Sequence, residues 1–168
     1  MSKLMYIILI TLFTNCSSNI SKNDKYDLSD RANLLALNEN VIGLEYIIKK
    51  ALKDEIEEYH VKYLGKIKKS NGSCLKFITN VLYCGKNTDS PHANAALYVY
   101  NDKNIELGYY SLGPIWSLPS KIVANNLVFD YSDSYCNQKT IINFQDSIPS
   151  QIYIKCTEKG GDIYVFNK

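Results

Sequence analysis

From residue 59 to residue 166 the chain repeats one pattern. A short run of alternating apolar and polar residues is followed by a cluster of Asn, Asp, Ser, Gly or Pro. Side chains on a strand point to opposite faces with period 2, so these runs read as half-buried strands and the clusters as turns. Tyr59, Val61, Tyr63 and Ile67 alternate with His60, Lys62, Lys66 and Lys68. Ser70-Asn71-Gly72-Ser73 follows, and Asn-Gly is a strong hairpin signal because both residues tolerate positive φ. Runs at 95–100 and 105–112 flank a second turn, Asn101-Asp102-Lys103-Asn104. Residues 85–94 and the stretch Gly113-Pro114-Ile115-Trp116-Ser117-Leu118-Pro119 read as loops. Short strands then recur at 126–131, 139–144, 151–156 and 162–166. Such spacing predicts an antiparallel meander of six to eight strands. Fourteen tyrosines against five phenylalanines agree with this, since tyrosine suits strands and half-exposed faces.

Upstream the period is helical. Beyond Asp27-Leu28-Ser29, which offers capping side chains, Leu34, Leu37, Val41, Leu44, Ile48 and Ala51 recur at three- and four-residue steps. Leu35, Ile42, Ile47, Leu52 and Ile56 widen the stripe. The spacing predicts an amphipathic helix over roughly 30–57, with Gly43 as its weak point or a break into two helices. The expected fold class is α+β, with this helix packed on one face of the antiparallel meander.

The N-terminus carries a different message. Lys3 is followed by the apolar run 4–13 and then by Thr14-Asn15-Cys16-Ser17-Ser18-Asn19. A lysine, about ten apolar residues and a sharp polar switch have the layout of an export signal. The stretch Leu12-Phe13-Thr14-Asn15-Cys16 resembles the processing site of bacterial lipoprotein precursors, in which the cysteine takes the lipid. That resemblance implies a signal peptide at 1–15, a lipidated Cys16 with a flexible tether at 16–28, and a single folded domain at 29–168. With Ser17 after the cysteine, it also implies an outer-membrane location facing the periplasm.

An exported chain is an oxidised chain. Beyond Cys16 the cysteines are Cys74, Cys84, Cys136 and Cys156, an even number that argues for two disulfides. If 139–144 pairs with 151–156 across the turn at 146–149, Cys136 falls beside Cys156, and Cys74–Cys84 is left by subtraction. Residues 74–84 stay ambiguous. As one strand they hold the two cysteines about 33 Å apart. As a bonded pair they require a turn near Thr79-Asn80 or partial helix. Each bridge is expected to contribute about 2–4 kcal/mol.

Catalytic and cofactor motifs are missing from the sequence. It contains no nucleophile elbow, phosphate loop, dinucleotide fingerprint or zinc-ligand spacing. His60 lies on the polar side of a strand and His92 in a loop, while Asp54, Glu55, Glu57 and Glu58 mark the end of the expected helix. No catalytic residue, metal site or cofactor is assigned. A net charge of +2 without a basic stripe speaks against nucleic acid.

The most site-like segment is the proline-bounded loop with the sole tryptophan. A stiff loop loses little entropy on binding, and tryptophan buries a large area, so Ile115, Trp116 and Leu118 are candidate partner contacts. Tyr109 and Tyr110 are candidates to extend that patch. The alternative is that Trp116 plugs the core. In general layout the chain resembles the small periplasmic lipoproteins that act as immunity proteins or enzyme inhibitors. The resemblance implies a non-enzymatic, membrane-anchored protein that binds a toxin or hydrolase. An envelope assembly lipoprotein, using the helix as its interface, is the alternative.

Overall fold

The computed structural model describes residues 28–51, 55–86, 91–132 and 136–168. The expected signal peptide, Cys16 and nearly all of the tether lie outside the described residues, as does Asp54. The architecture is α+β, as the sequence predicts. Among the described residues one α-helix, α1 (Leu28–Glu39), precedes ten strands. These are β1 (Glu45–Ala51), β2 (Ile56–Lys68), β3 (Cys74–Gly85), β4 (His92–Asn101), β5 (Glu106–Gly113), β6 (Lys121–Val123), β7 (Asn126–Asp130), β8 (Lys139–Asn143), β9 (Gln151–Lys155) and β10 (Gly161–Asn167). Seven strands form one sheet in the order β1-β2-β3-β4-β5-β10-β9, and three form a second in the order β6-β7-β8. All the strand pairs in both sheets are antiparallel.

The helix is less than half as long as the apolar spacing predicts. Asn40 takes a left-handed conformation with φ 53° and its amide still donates to the Ala36 carbonyl, a helix-ending geometry that suits asparagine. Gly43 follows at φ 78° and bonds the Tyr63 carbonyl, reversing the chain. Glu45–Ala51 then runs as a strand against β2 rather than as helix. Leu44, Ile47 and Ile48 satisfy either period, and the opposed charges decide between them. Lys49 pairs with Glu58, Lys50 with Glu57 and Lys62 with Glu45 across the ladder. Exposed pairs are worth only about 0.2–1 kcal/mol each, but their alternation fixes the register.

The large sheet has two apolar faces. On the outer face, α1 lays Ala32, Ala36 and Leu37 against Tyr46, Val61, Tyr63, Ile78 and Tyr100. The small alanines bring the helix close to the sheet, and Asn33, fully buried, fixes its position. Asn33 donates to the Tyr100 hydroxyl at 3.0 Å and accepts from Asn80 at 2.9 Å, and Tyr100 in turn donates to Glu106. The inner face, including Phe77, Leu97, Val99, Tyr110 and Ile152, packs on Leu127, Phe129 and Phe144 from the second sheet and its flank. A bulge at Tyr63/Gly65 allows β2 to serve both cores. Tyr59, Val61 and Tyr63 face the helix, whereas Ile67, expected on the same face, turns to the inner core.

Two seams join the sheets. At one, the Asn125 side chain accepts from the Lys68 amide and donates to the Lys68 carbonyl. At the other, the Lys155 amide donates to Thr140 Oγ1 and a disulfide links Cys136 to Cys156, with the Cα atoms 4.1 Å apart. The bridge matches the sequence expectation, but the strand pairing that suggested it does not occur. β8 pairs with β7, and β9 with β10. The second expected bridge is absent. β3 runs unbroken from Cys74 to Cys84, and both thiols are free. Ten residues of extended chain keep them about 33 Å apart.

Reducing Cys136–Cys156, which closes a loop of sequence separation 20, should lower unfolding stability by about 3 kcal/mol in urea titrations. Alkylation mapped by peptide mass should label Cys74 and Cys84 and spare Cys136 and Cys156 until reductant is added.

Candidate functional site

The loop after β5 is built to project one side chain. Gly113, at φ 70°, turns the chain out of the strand, and Pro114 enters a single 3-10 turn over Ile115–Ser117. The Ser117 amide bonds the Pro114 carbonyl at 3.0 Å and the Leu118 amide bonds that of Ile115 at 3.3 Å. Ser117 is buried and its hydroxyl accepts from the Tyr164 hydroxyl at 3.2 Å. Leu118 packs on the inner core. Beyond Pro119, the Ser120 amide bonds the Val128 carbonyl. With both ends held, Trp116 is left 74% exposed and Ile115 38% exposed. Trp116 therefore does not plug the core.

Of the residues expected around it, three are elsewhere in role. Leu118 is a half-buried anchor rather than a contact surface. Tyr110 is fully buried, donates its hydroxyl to the Pro149 carbonyl at 2.6 Å and packs on Phe166 and Phe144, so it belongs to the core. Tyr109 points to the opposite face, stacked on Tyr98 with ring centroids 5.3 Å apart. Strand alternation separates it from Tyr110 and from the loop.

Residues that sequence reasoning did not single out complete the site. Trp116 borders a groove of about 450 Å³, shared with Ser117, Tyr131, Ile154, Asp162, Tyr164 and the Cys136–Cys156 bridge. The groove lies where the seam between β8 and β9 meets β10, with the disulfide in its wall. Burial, then the neighbouring Tyr164 and Asp162, push the Tyr131 hydroxyl well above its ordinary pKa. The hydroxyl itself is buried. The excess of tyrosine was the one sequence signal for these rings, and it does not say which of them converge.

The titratable residues weighed from sequence gather at the other end of the large sheet. His60 is half-buried. Its Nε2 lies 2.6 Å from Glu58 Oε1, its Nδ1 3.7 Å from Glu45 Oε2, and its ring meets Tyr83 edge-on at 4.8 Å. Glu57 accepts from Lys50 and from the Tyr59 hydroxyl. Glu57 and Glu58 sit on β2 and not at a helix end. His92 opens β4 instead of lying in a loop and is exposed directly across from Cys84. Among the described residues no group of three or more His, Cys, Asp or Glu is placed to hold a metal ion.

Desolvation raises the Glu58 carboxyl, but the bonds and charges of Lys49 and His60 outweigh it and hold the group below its usual value of 4.5. A depressed carboxylate adds stability above its unfolded pKa and loses it as pH falls through the folded one. Acid titration of the melting temperature should therefore show a loss beginning below about pH 4.5, and Glu58→Gln should flatten that part of the curve. No protein-family model, curated protein or solved structure matches the chain.

Proposed function

We propose that this chain is a non-enzymatic binding protein of the bacterial cell envelope, lipid-anchored through Cys16 and engaging another protein through the Trp116 loop. The observation that carries the reading is the exposed tryptophan on a backbone held at both ends. Tryptophan is enriched among the anchors of protein interfaces, and among the described residues Trp116 is the most exposed of the large apolar side chains, beside the exposed Ile115 on the same loop. Pre-set loop geometry lowers the ordering cost of association. The export-like N-terminus supports the envelope placement, and the Cys136–Cys156 bridge fits an oxidising compartment. A toxin or a hydrolase suits the partner role, because blocking an active site needs a rigid protruding element and no catalytic group.

Two measurements test this. The chain expressed with its own N-terminus should gain a lipid-sized mass and partition into detergent, and Cys16→Ala should abolish both. A freely released, unmodified product removes the anchor from the reading. Trp116→Ala should leave the melting temperature nearly unchanged, since the side chain buries little. It should nonetheless weaken partner binding by at least tenfold, about 1.4 kcal/mol. Protection of cells against a toxin encoded beside the gene gives the functional readout. Undiminished protection by a folded Trp116→Ala protein sinks the loop as the interface.

A further inference from the structure

The groove beside Trp116 has the chemistry of a cation seat. Trp116, Tyr131 and Tyr164 line a concavity of about 450 Å³, a volume suited to one side chain or a small ligand rather than to a structural element. Aromatic faces carry the negative lobe of the ring quadrupole and attract cations, tryptophan most strongly. Asp162 adds a formal charge. It alternates with Ile163 along β10 and so shares a face with Tyr164, and its field reaches the Tyr131 hydroxyl. Among the described residues no ion pair neutralises it. Lys155 also borders the groove but is exposed in alternation with the buried Ile154, so its side chain leaves from the other face of β9. The groove thus brings together the rings of Trp116, Tyr131 and Tyr164 and the carboxylate of Asp162.

We infer that this groove receives an arginine side chain of the bound protein. The inference rests on the Trp116 loop being the contact surface, and it specifies what the partner must offer there. A guanidinium is flat and weakly hydrated, stacks on aromatic faces and can bond a carboxylate with two parallel N–H groups. A lysine ammonium gains the ring attraction but not the fork. A neutral saccharide can stack on the rings but leaves Asp162 uncompensated. An acidic or phosphorylated segment is repelled. The walls are fixed before binding, by the disulfide on one side and the bond between Tyr164 and Ser117 on the other.

Because Trp116 is the only tryptophan, its emission reports on the groove directly. The full chain, disulfide intact and in mild detergent, is titrated at constant ionic strength with Nα-acetyl-arginine amide. Nα-acetyl-citrulline amide serves as the neutral isostere and a trimer of N-acetylglucosamine as the saccharide arm. The arginine compound should give a saturable change, at least tenfold weaker for citrulline and for a folded Asp162→Asn protein. Equal response to citrulline, no effect of Asp162→Asn, no saturation, or tighter binding of the saccharide each overturns the assignment. If arginine fails while Trp116→Ala still abolishes partner binding, the interface stands and only its cation seat is lost. If Trp116→Ala has no effect on the partner either, the interface reading falls with it.

Discussion

A seven-stranded sheet that is apolar on both faces cannot stand in water without two covers, and everything else in this fold answers that demand. α1 supplies one cover and the sheet β6-β7-β8 the other. The second cover has no strand pairing to the large sheet, so its attachment depends on the inner apolar core and the two seams. Asn125 replaces a missing strand pairing with two side-chain bonds to Lys68. The Cys136–Cys156 bridge and Thr140 do the same at β9. Where a seam is stapled instead of laddered, a groove remains, and the aromatic site lies there. Stability and site thus have a common origin in the incomplete closure of the sandwich.

The specificity of the helix contact comes from polarity rather than from apolar area alone. Alanines at 32 and 36 make the surface smooth enough to slide. Asn33, bonded to both Tyr100 and Asn80, admits one position. A buried amide misplaced by one turn loses its bonds to Asn80 and Tyr100, and each group left unpaired costs about 1–3 kcal/mol, although Tyr100 keeps Glu106. Hydrophobic burial brings the helix to the sheet, and the Asn33 network selects where it stops.

Most of the meander was legible because period and punctuation agreed. Asn71-Gly72 and Asn101-Asp102-Lys103-Asn104 marked hairpins that exist, and Gly113 through Pro119 marked a loop that exists. The failures have local causes. Residues 45–51 satisfy helical spacing as well as strand alternation, and the left-handed turn at Asn40 leaves no mark that distinguishes it from a helical asparagine. The Lys121–Val123 strand is too short to show a period. The disulfide was reached through a strand pairing that the protein does not make, because the nearness of β8 and β9 survives even when they are not hydrogen-bonded neighbours. The groove was not legible at all beyond Trp116. Tyr131, Asp162 and Tyr164 meet only through the seam, and no local pattern encodes it.

The position of β10 has a consequence for how the molecule assembles. Although it follows every other strand in the chain, it lies inside the large sheet, between β5 and β9. Phe166 and the Asn167 carbonyl fill the space that the missing side chain of Gly108 leaves open. The hairpins of β2 through β5 close short loops and can form early, whereas joining β10 to β5 must wait for a long one. β9 belongs to the large sheet only through β10, so the Cys156 side of the bridge is placed by the last strand of the chain.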